Sequence, residues 1–168
     1  MHRVPVMHHQ VVEHEYLQFS RSNFTEKTEK FNLSKLIIAT VKKYENKNIL
    51  IDQESEIFFI GRKNLIQRCL SNLLDNAINF SKNIKITQQK IKRNILIFVE
   101  DDGPGINSSE YENVFKPFYK IDKSRNQTKS SVGLGLSIAS DIIRAHGGNI
   151  ELEKSNLGGL KIKIVLPV

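Results

Sequence analysis

The chain has 168 residues, enough for one domain with a hydrophobic core, and its apolar and charged fractions of 39% and 26% are ordinary for a globular protein. A single cysteine excludes an internal disulfide, no His or Cys spacing is typical of a metal site, and no apolar run approaches the roughly 18 residues of a membrane span. The net charge of +7 comes from scattered lysines, so we expect a soluble intracellular domain rather than a nucleic-acid module.

The first half of the chain predicts two helices and two strands. An amphipathic helix is predicted over 32–46, with Asn32 as its N-cap. KNILID and SEIFFIG predict two strands separated by a short polar turn. The helix predicted over 62–81 is the most regular, because its apolar positions form one continuous stripe. These positions are Leu65, Ile66, Cys69, Leu70, Leu73, Leu74, Ala77 and Ile78.

Two more strands follow, IKITQQ and NILIFVED. The second is apolar at consecutive positions, which is typical of a strand covered on both faces or packed under helices. A short helix is predicted around SSEYENVF. Residues 116–132 are polar without an apolar period, and a loop of that length in a compact domain is usually a lid or a binding loop.

The chain ends with a helix over 133–146 and a hairpin formed by GNIELEK and GGLKIKIVLPV. In the hairpin, apolar residues alternate with Glu and Lys residues that are predicted to face water. The sequence therefore predicts an α+β fold, a two-layer sandwich of three main helices over a mixed five-stranded sheet.

Three asparagines on the 62–81 helix form the first candidate site. Asn72, Asn76 and Asn79 are spaced i, i+4 and i+7, so they share one helix face. Asparagine is a poor residue inside a helix, because its side chain competes for backbone hydrogen bonds. An exposed polar face is one interpretation. The other is a ligand site, since an amide oxygen is a good neutral ligand for Mg²⁺.

The stretch VEDDGPGINS, residues 99–108, is the second candidate. Asp101 ends a buried strand, and Gly103 and Gly105 turn the chain. A carboxylate at the end of a strand can accept a hydrogen bond from an exocyclic amine, and glycines let a flat ligand approach the backbone. A plain Asp-Gly turn between a strand and a helix is the alternative.

The third candidate is GLGLSIA, where glycines open a helix whose free N–H groups would attract phosphate. It is not a P-loop, because no G-x-x-x-x-G-K-[ST] occurs in the chain. It is not a dinucleotide fingerprint either, because Ile138 stands where the third glycine belongs.

The order of these stretches resembles the order of the conserved motifs in the sensor histidine kinases. NLLDNAINFS resembles their N box, DDGPGI the G1 box, VFKPF the F box and GLGL the G2 box. Four motifs in the correct order, over roughly residues 20–168, make the resemblance specific, and it is strongest to the EnvZ type. It implies the Bergerat ATP-binding fold of the GHKL superfamily.

The resemblance also implies a role for each matched residue. Asn76 resembles the family's Mg²⁺ ligand, and Asn72 its catalytic partner one turn earlier. Asp101 resembles the carboxylate that binds the adenine amine, with Gly103 and Gly105 beside the ring. The remaining matches are Phe80 beside the nucleotide, Phe115 and Phe118 as the hinge of the ATP lid, Arg125 as the lid's phosphate contact, and Gly133, Leu134, Gly135 and Leu136 as the phosphate cradle.

The chain departs from the family pattern at two motif positions. Asn79 stands where the family usually has Lys or Arg, so a phosphate contact is missing unless Lys123 or Lys129 supplies it. The G2 box usually reads G-[ST]-G-L-G-L, and here Ser131 and Val132 replace its first two residues.

The largest departure is in the N-terminal segment. The family's phosphoacceptor histidine lies on the first helix of a helical hairpin, followed by an acidic residue and a nearby proline. No proline follows His14-Glu15 in this way. The residues from there to 30 are enough for one helix of about four turns, not for the two long helices of a hairpin. We therefore predict that residues 1–30 are the end of the hairpin's second helix, without an authentic acceptor, and that residues 31–168 are the catalytic domain.

The resemblance implies a protein histidine kinase domain that uses ATP and Mg²⁺, binds ADP as product, and does not phosphorylate itself in isolation. Its expected partners are a histidine-bearing dimerisation hairpin and a response regulator in trans, without nucleic acid or membrane contact. The expected location is cytoplasmic, with a parent sensor in the inner membrane. The alternatives are an ATP-binding module without catalysis and a GHKL-type ATPase. The ATPases carry a Glu one turn before Asn76, where this chain has Asn72.

Overall fold

The computed structural model describes residues 14, 25–121 and 134–168. Within these ranges, three α-helices lie on one face of a five-stranded sheet. The helices are α1 (Leu33–Val41), α2 (Lys63–Phe80) and α3 (Gly135–Ala145). The strands are β1 (Glu29–Asn32), β2 (Asn48–Gln53), β3 (Phe58–Gly61), β4 (Asn83–Ile91), β5 (Asn94–Asp101), β6 (Asn149–Lys154) and β7 (Leu160–Pro167).

The strand order in the main sheet is β2-β4-β5-β7-β6. Strands β2 and β4 are parallel, and the other neighbours are antiparallel. This is the mixed five-stranded sheet that the sequence predicts. The buried apolar stripe of α2 packs on the inner face of this sheet together with α3, and Ile78 is the one predicted member of the stripe that is only partly buried.

The hairpin of β6 and β7 has the predicted register. Ile150 pairs with Ile164 and Leu152 with Ile162, and all four are buried. On the outer face, Lys163 lies 3.2 Å from Glu151 and Lys161 lies 3.8 Å from Glu153. The alternation of apolar and charged residues therefore places one face on the core and covers the other with ion pairs.

Three local predictions differ from the observed structure. The helix predicted over 32–46 ends as an α-helix at Val41 and continues as a 3₁₀ turn, although Asn32 is its N-cap as predicted, with Oδ1 accepting the Lys35 N–H at 3.0 Å. The helix predicted around 108–115 consists of two 3₁₀ turns. Strand β3 leaves the main sheet and pairs with the unpredicted β1 in a two-stranded ribbon. Of the two alternatives for strand β5, packing under helices is the one observed, because β5 buries alternate residues and its other face is half-exposed.

The N-terminus of α2 is capped by residues that are distant in sequence. Its N-cap residue, Arg62, makes no side-chain capping bond, but the Arg62 N–H donates to His146 Nε2 at 3.0 Å. The next free N–H groups, of Asn64 and Leu65, donate to the two carboxylate oxygens of Glu26 at 2.7 and 3.2 Å. A carboxylate is favourable there because the helix dipole is positive at this end.

We expect Glu26→Ala to lower the free energy of unfolding by about 1 kcal/mol, because two helical N–H groups lose their acceptors. Glu26→Gln should cost less, since one amide oxygen remains. Urea unfolding of both variants checks this prediction, with Glu29→Ala as the control because Glu29 is an exposed strand residue. Equal stabilities of Glu26→Ala and Glu29→Ala would contradict it.

The single cysteine lies under α3. Cys69 is 1% exposed, its Sγ lies 3.8 Å from the Ala139 carbonyl oxygen, and burial raises the pKa of its thiol to about 12. We expect Ellman's reagent at pH 8 to modify the folded chain at least about 100-fold more slowly than the urea-unfolded chain, because little thiolate is present and access is blocked. A native labelling rate close to the unfolded rate would contradict this prediction.

No helix in the described ranges is long and apolar enough to cross a membrane.

Candidate functional site

Two glycine contacts bring the predicted site residues together along α2. A methyl group added at Gly103 would lie 2.6 Å from the Phe80 carbonyl oxygen, so the turn after β5 packs against the C-terminal end of α2. A methyl group added at Gly135 would lie 3.8 Å from the Asn72 carbonyl oxygen, so the start of α3 packs two turns earlier on the same helix. The three separate sequence stretches therefore meet at α2.

Asp101 is buried at the end of β5, with 6% of its surface exposed. Its Oδ1 accepts hydrogen bonds from the Gly103 N–H at 2.9 Å and the Leu160 N–H at 3.1 Å. Its main-chain oxygen accepts from the Gly159 N–H at 3.0 Å. Two backbone donors on one oxygen fix the orientation of the carboxylate, because rotation would leave both donors unpaired.

Asp102, the second acid of the pair, has a different role. Its Oδ1 accepts the Asn83 and Lys82 N–H groups, both at 2.9 Å, and its Oδ2 accepts from Asn83 Nδ2 at 2.6 Å. The bonds from Asn83 and then Lys82 lower the pKa of the Asp102 carboxyl group. The stability that these bonds give to the fold is fully present above the ordinary carboxyl pKa of about 4, and it is lost as the pH falls through the lowered pKa of Asp102. Asp102 therefore anchors the start of β4.

The two glycines after Asp101 are required for different reasons. Gly105 has a φ of +70°, a conformation that L residues with side chains rarely adopt. Gly103 has no room for a side chain, because Phe80 and the Asp101 carboxylate both lie within contact distance. The contact that excludes a side chain at Gly103 comes from the protein itself, whereas the sequence suggested the approach of a flat ligand.

The asparagine face of α2 contains an unsatisfied donor. Asn72 Nδ2 is buried and has no hydrogen-bond partner among the residues that the structure describes. Asn76 and Asn79 are partly buried on the same helix. The neighbouring Asp75 bonds to another part of the fold, since its Oδ1 accepts a hydrogen bond from the Tyr44 hydroxyl at 2.7 Å. Burial, and then this bond, raise the pKa of Tyr44. A buried donor without a partner lowers stability by about 1–3 kcal/mol, so binding of an acceptor to Asn72 Nδ2 would be favourable.

The N-terminus of α3 lies beside Asn72. Leu134 is buried and its carbonyl oxygen accepts both the Ile138 N–H and the Ser137 hydroxyl at 2.9 Å. The N–H groups of the first helical turn, which includes Gly135 and Leu136, have no acceptor within an α-helix. This end of α3 is therefore suited to an anion.

The predicted hinge residues differ in their surroundings. Phe115 is partly buried against the core. Phe118 is 56% exposed and has a φ of +64°, which is rare for a bulky residue and marks a sharp change of chain direction. The hydroxyl of Tyr119 donates to Glu110 and ties the chain after the hinge to the preceding turn. Arg125 and Gly133 lie outside the described residues, as do the altered G2-box positions.

The β6–β7 turn is part of the site, although sequence reasoning assigned it only to a hairpin. Gly159 and Leu160 donate the N–H groups that hold Asp101. The Gly-Gly pair before the last strand, in SNLGGL, was the available signal. It does not reveal that this turn contacts a strand end more than 50 residues earlier.

The described residues contain no group of three or more His, Cys, Asp or Glu side chains that could hold a metal ion. Mg²⁺ commonly binds through few protein groups together with substrate phosphates, and the amide oxygen of Asn76 is chemically suited to be one such group.

The family described as "Histidine kinase-, DNA gyrase B-, and HSP90-like ATPase" matches residues 61–168. Among curated proteins, the sensor histidine kinase CpxA of Escherichia coli (strain K12) is 38% identical over 109 residues, which cover 64% of this chain and 24% of CpxA. The sensor protein PhoQ of Escherichia coli O157:H7 is 33% identical over 136 residues, or 79% of this chain and 27% of PhoQ. The chain thus spans about a quarter of the length of these relatives.

The fold is similar to solved catalytic domains. A nucleotide-free form of the catalytic domain of histidine kinase ThkA superposes with a TM-score of 0.75 and is 29% identical, covering 84% of this chain and 95% of that one. The mycobacterial sensor histidine kinase MprB superposes with a TM-score of 0.74 at 23% identity, which supports the fold alone.

Proposed function

Because the chain belongs to the histidine kinase-, DNA gyrase B- and HSP90-like ATPase family, we propose that it binds Mg-ATP along α2 and transfers the γ-phosphoryl group to a histidine on another helical hairpin. The observation that carries this proposal is that the turn after β5 packs on α2 at Phe80 and the start of α3 packs on α2 at Asn72. These positions are eight residues, or about 12 Å, apart on the helix. This distance is comparable to the length of a nucleoside triphosphate.

The base end of the nucleotide belongs beside Asp101. Its Oδ1 is held by two backbone N–H groups, so Oδ2 is the oxygen that we assign to the exocyclic amine of adenine. A fixed acceptor in a buried position favours a base that presents a donor there. Phe80 is 44% exposed at the end of α2, and we assign its ring to the side of the nucleotide.

The phosphate end belongs beside Asn72 and the start of α3. An α-helix leaves its first N–H groups without an intrahelical acceptor, and these groups and the positive end of the helix dipole favour phosphate oxygens there. We assign Leu134, Gly135 and Leu136 to this cradle and extend it to Gly133. The Nδ2 of Asn72, which has no partner within the described ranges, supplies a further donor. We assign the Asn76 amide oxygen to Mg²⁺, which would neutralise phosphate charge, and Arg125 to a phosphate contact of the lid hinged at Phe115 and Phe118.

This site would promote phosphoryl transfer by position and charge rather than by covalent chemistry. The imidazole nitrogen of the acceptor forms the bond to the γ-phosphorus, the bond to the β-γ bridging oxygen breaks, and ADP leaves with that oxygen. We assign the acceptor to a separate dimerisation hairpin, with residues 1–30 as the end of its second helix and 31–168 as the catalytic domain. The next acceptor of the phosphoryl group would be a response regulator.

Asn72 also bears on the alternative of an ATPase. Activating water requires a base, and an amide cannot accept the proton. Steady hydrolysis by this chain should therefore be slow. A module that binds ATP without transferring phosphate would keep the binding described here and fail only the transfer assay.

Calorimetry with nucleotides tests the binding proposal. We expect Mg-dependent binding of ATP and ADP and much weaker binding of GTP, whose base presents a carbonyl acceptor towards Asp101. Titration of ATP in the presence of EDTA is the control for the Mg²⁺ dependence. Equal affinities for ATP and GTP would overturn the assignment of Asp101 to adenine.

A further inference from the structure

The turn between β6 and β7 packs directly on Asp101. A methyl group added at Gly159 would lie 2.1 Å from Asp101 Oδ1 and 2.6 Å from both the Asp101 main-chain oxygen and the Gly103 nitrogen. The φ of Gly159 is not in the left-handed region, whereas the neighbouring Gly158 has a φ of +109° and open space around it. Glycine is therefore required at 159 by contact with the carboxylate and at 158 by backbone conformation.

The turn is internally braced through one buried serine. The Ser155 N–H donates to the Gly159 carbonyl oxygen at 2.9 Å, and the Ser155 carbonyl oxygen accepts the Gly158 N–H at 3.1 Å. Its Oγ accepts the Leu157 N–H at 3.0 Å and donates to Glu100 Oε2 at 2.9 Å. The turn is thus tied to β5 at Glu100 by a side chain and at Asp101 by two backbone N–H groups.

We propose that residues 155–160 are the element that determines base selectivity, because they hold the Asp101 carboxylate in the orientation that meets an exocyclic amine. The proposal rests on the proposed function and names Gly159 and Ser155 as positioning residues. Two backbone N–H groups of this turn donate to Asp101, that of Gly159 to the main-chain oxygen and that of Leu160 to Oδ1, where the Gly103 N–H is the other donor. If the turn moves away, Oδ1 keeps only the Gly103 donor and the carboxylate is free to rotate.

A purely structural hairpin turn would have a different signature from a positioning element. Structural damage lowers affinity for every nucleotide by a similar factor. Loss of carboxylate orientation lowers affinity only for bases that donate to Asp101. The ratio of two affinities therefore separates the two roles, and it does not depend on the fraction of folded protein.

The test compares ATP with purine riboside triphosphate, which has the same sugar and phosphates but lacks the 6-amino group. We expect the wild-type chain to prefer ATP by about tenfold or more, the effect of one hydrogen bond to a charged group. Gly159→Ala should reduce this ratio to nearly one while the affinity for the analogue stays within about threefold of wild type. Asn156→Ala, an exposed change in the same turn, is the matched control and should keep the wild-type ratio.

Ser155→Ala provides a second variant in case Gly159→Ala does not fold. It removes the bonds of Oγ to Glu100 and to the Leu157 N–H without adding an atom, and we expect the ratio to fall by about threefold. A wild-type ratio in Gly159→Ala, or in Ser155→Ala where the first variant is unfolded, overturns the inference while the proposed function stands. No preference for ATP in the wild-type chain itself overturns the contact between Asp101 and adenine, and the inference with it.

Discussion

Asp101→Asn should weaken ATP binding by about 10- to 100-fold without unfolding the domain, which is the largest binding effect that we expect from a single isosteric change. The asparagine Oδ1 can still accept the Gly103 and Leu160 N–H groups. Those two bonds then direct the amide NH₂ towards the base. A donor would face the donor of the adenine amine, so the attractive contact becomes a repulsive one.

The same substitution should raise the relative affinity for bases with a carbonyl at this position. Inosine triphosphate and GTP both present an oxygen that the new NH₂ group can donate to. We therefore expect the preference for ATP over inosine triphosphate to fall sharply or reverse, measured by calorimetry on both nucleotides. An unchanged preference would contradict the orientation that we assign to the carboxylate.

Asp102→Asn is the matched control for this prediction. It makes the same chemical change one residue away, on a carboxylate that bonds to Lys82 and Asn83. We expect ATP affinity to stay near the wild-type value, with a small loss of stability near neutral pH. A loss of ATP affinity equal to that of Asp101→Asn would show a general effect of the strand end or of charge rather than recognition of the base.

In a labelling assay, the isolated chain should bind ATP yet incorporate no acid-labile phosphate. Phosphoryl transfer requires a nucleophile in line with the γ-phosphorus at about 3 Å. If the phosphates bind at the start of α3 as proposed, His146 cannot reach the γ-phosphorus, because it follows the last residue of this 11-residue helix, which is about 16 Å long. The His146 ring is also engaged at both nitrogens, by the Ile142 carbonyl oxygen and the Arg62 N–H.

Addition of a separate dimerisation hairpin with an acceptor histidine should restore labelling, and the label should be on the hairpin. Heat-denatured chain is the control for non-enzymatic transfer. Label mapped to His14 of the isolated chain would instead make HEYLQFS the acceptor site and overturn our interpretation of residues 1–30. Binding of ATP without labelling of any hairpin would favour the module that lacks catalysis.

Much of the fold follows from patterns of local residues. The apolar stripe of 62–81 predicts helix α2 to within a residue at each end, since a 3.6-residue period has one buried face. The two-residue alternation at the C-terminus predicts the pairing of β6 with β7. The helix predicted over 133–146 corresponds to α3, which ends before Gly147, where φ is +73° and the N–H donates to the Arg144 carbonyl oxygen.

Other elements depend on partners that local patterns do not reveal. The segment SEIFFIG has the composition of a strand, but its partner is β1, a short polar segment with only one buried residue. The cap of α2 comes from Glu26, 38 residues upstream, where Asn, Ser or Asp at the N-cap position would be the usual signal. A strand pairing or a distant cap is a property of two segments, and neither segment encodes it alone.

The candidate site divides in the same way. The sequence alone determined that Asn72 and Asn76 share one helix face, that Asp101 ends a strand and that glycines open α3, because helix and strand periods specify which side chains share a face. The binding of a nucleotide by these residues stays a prediction. Only the tertiary structure decided that Asp101 and Asp102 accept hydrogen bonds from different parts of the chain, the first from Gly103 and Leu160 and the second from Lys82 and Asn83. It also decided that the Phe80 carbonyl leaves no room for a side chain at Gly103, and that the β6–β7 turn contacts Asp101 through Gly159 and Leu160. The physical reason is that hydrogen bonds and close contacts act over about 3 Å in space, whatever the separation of the residues along the chain.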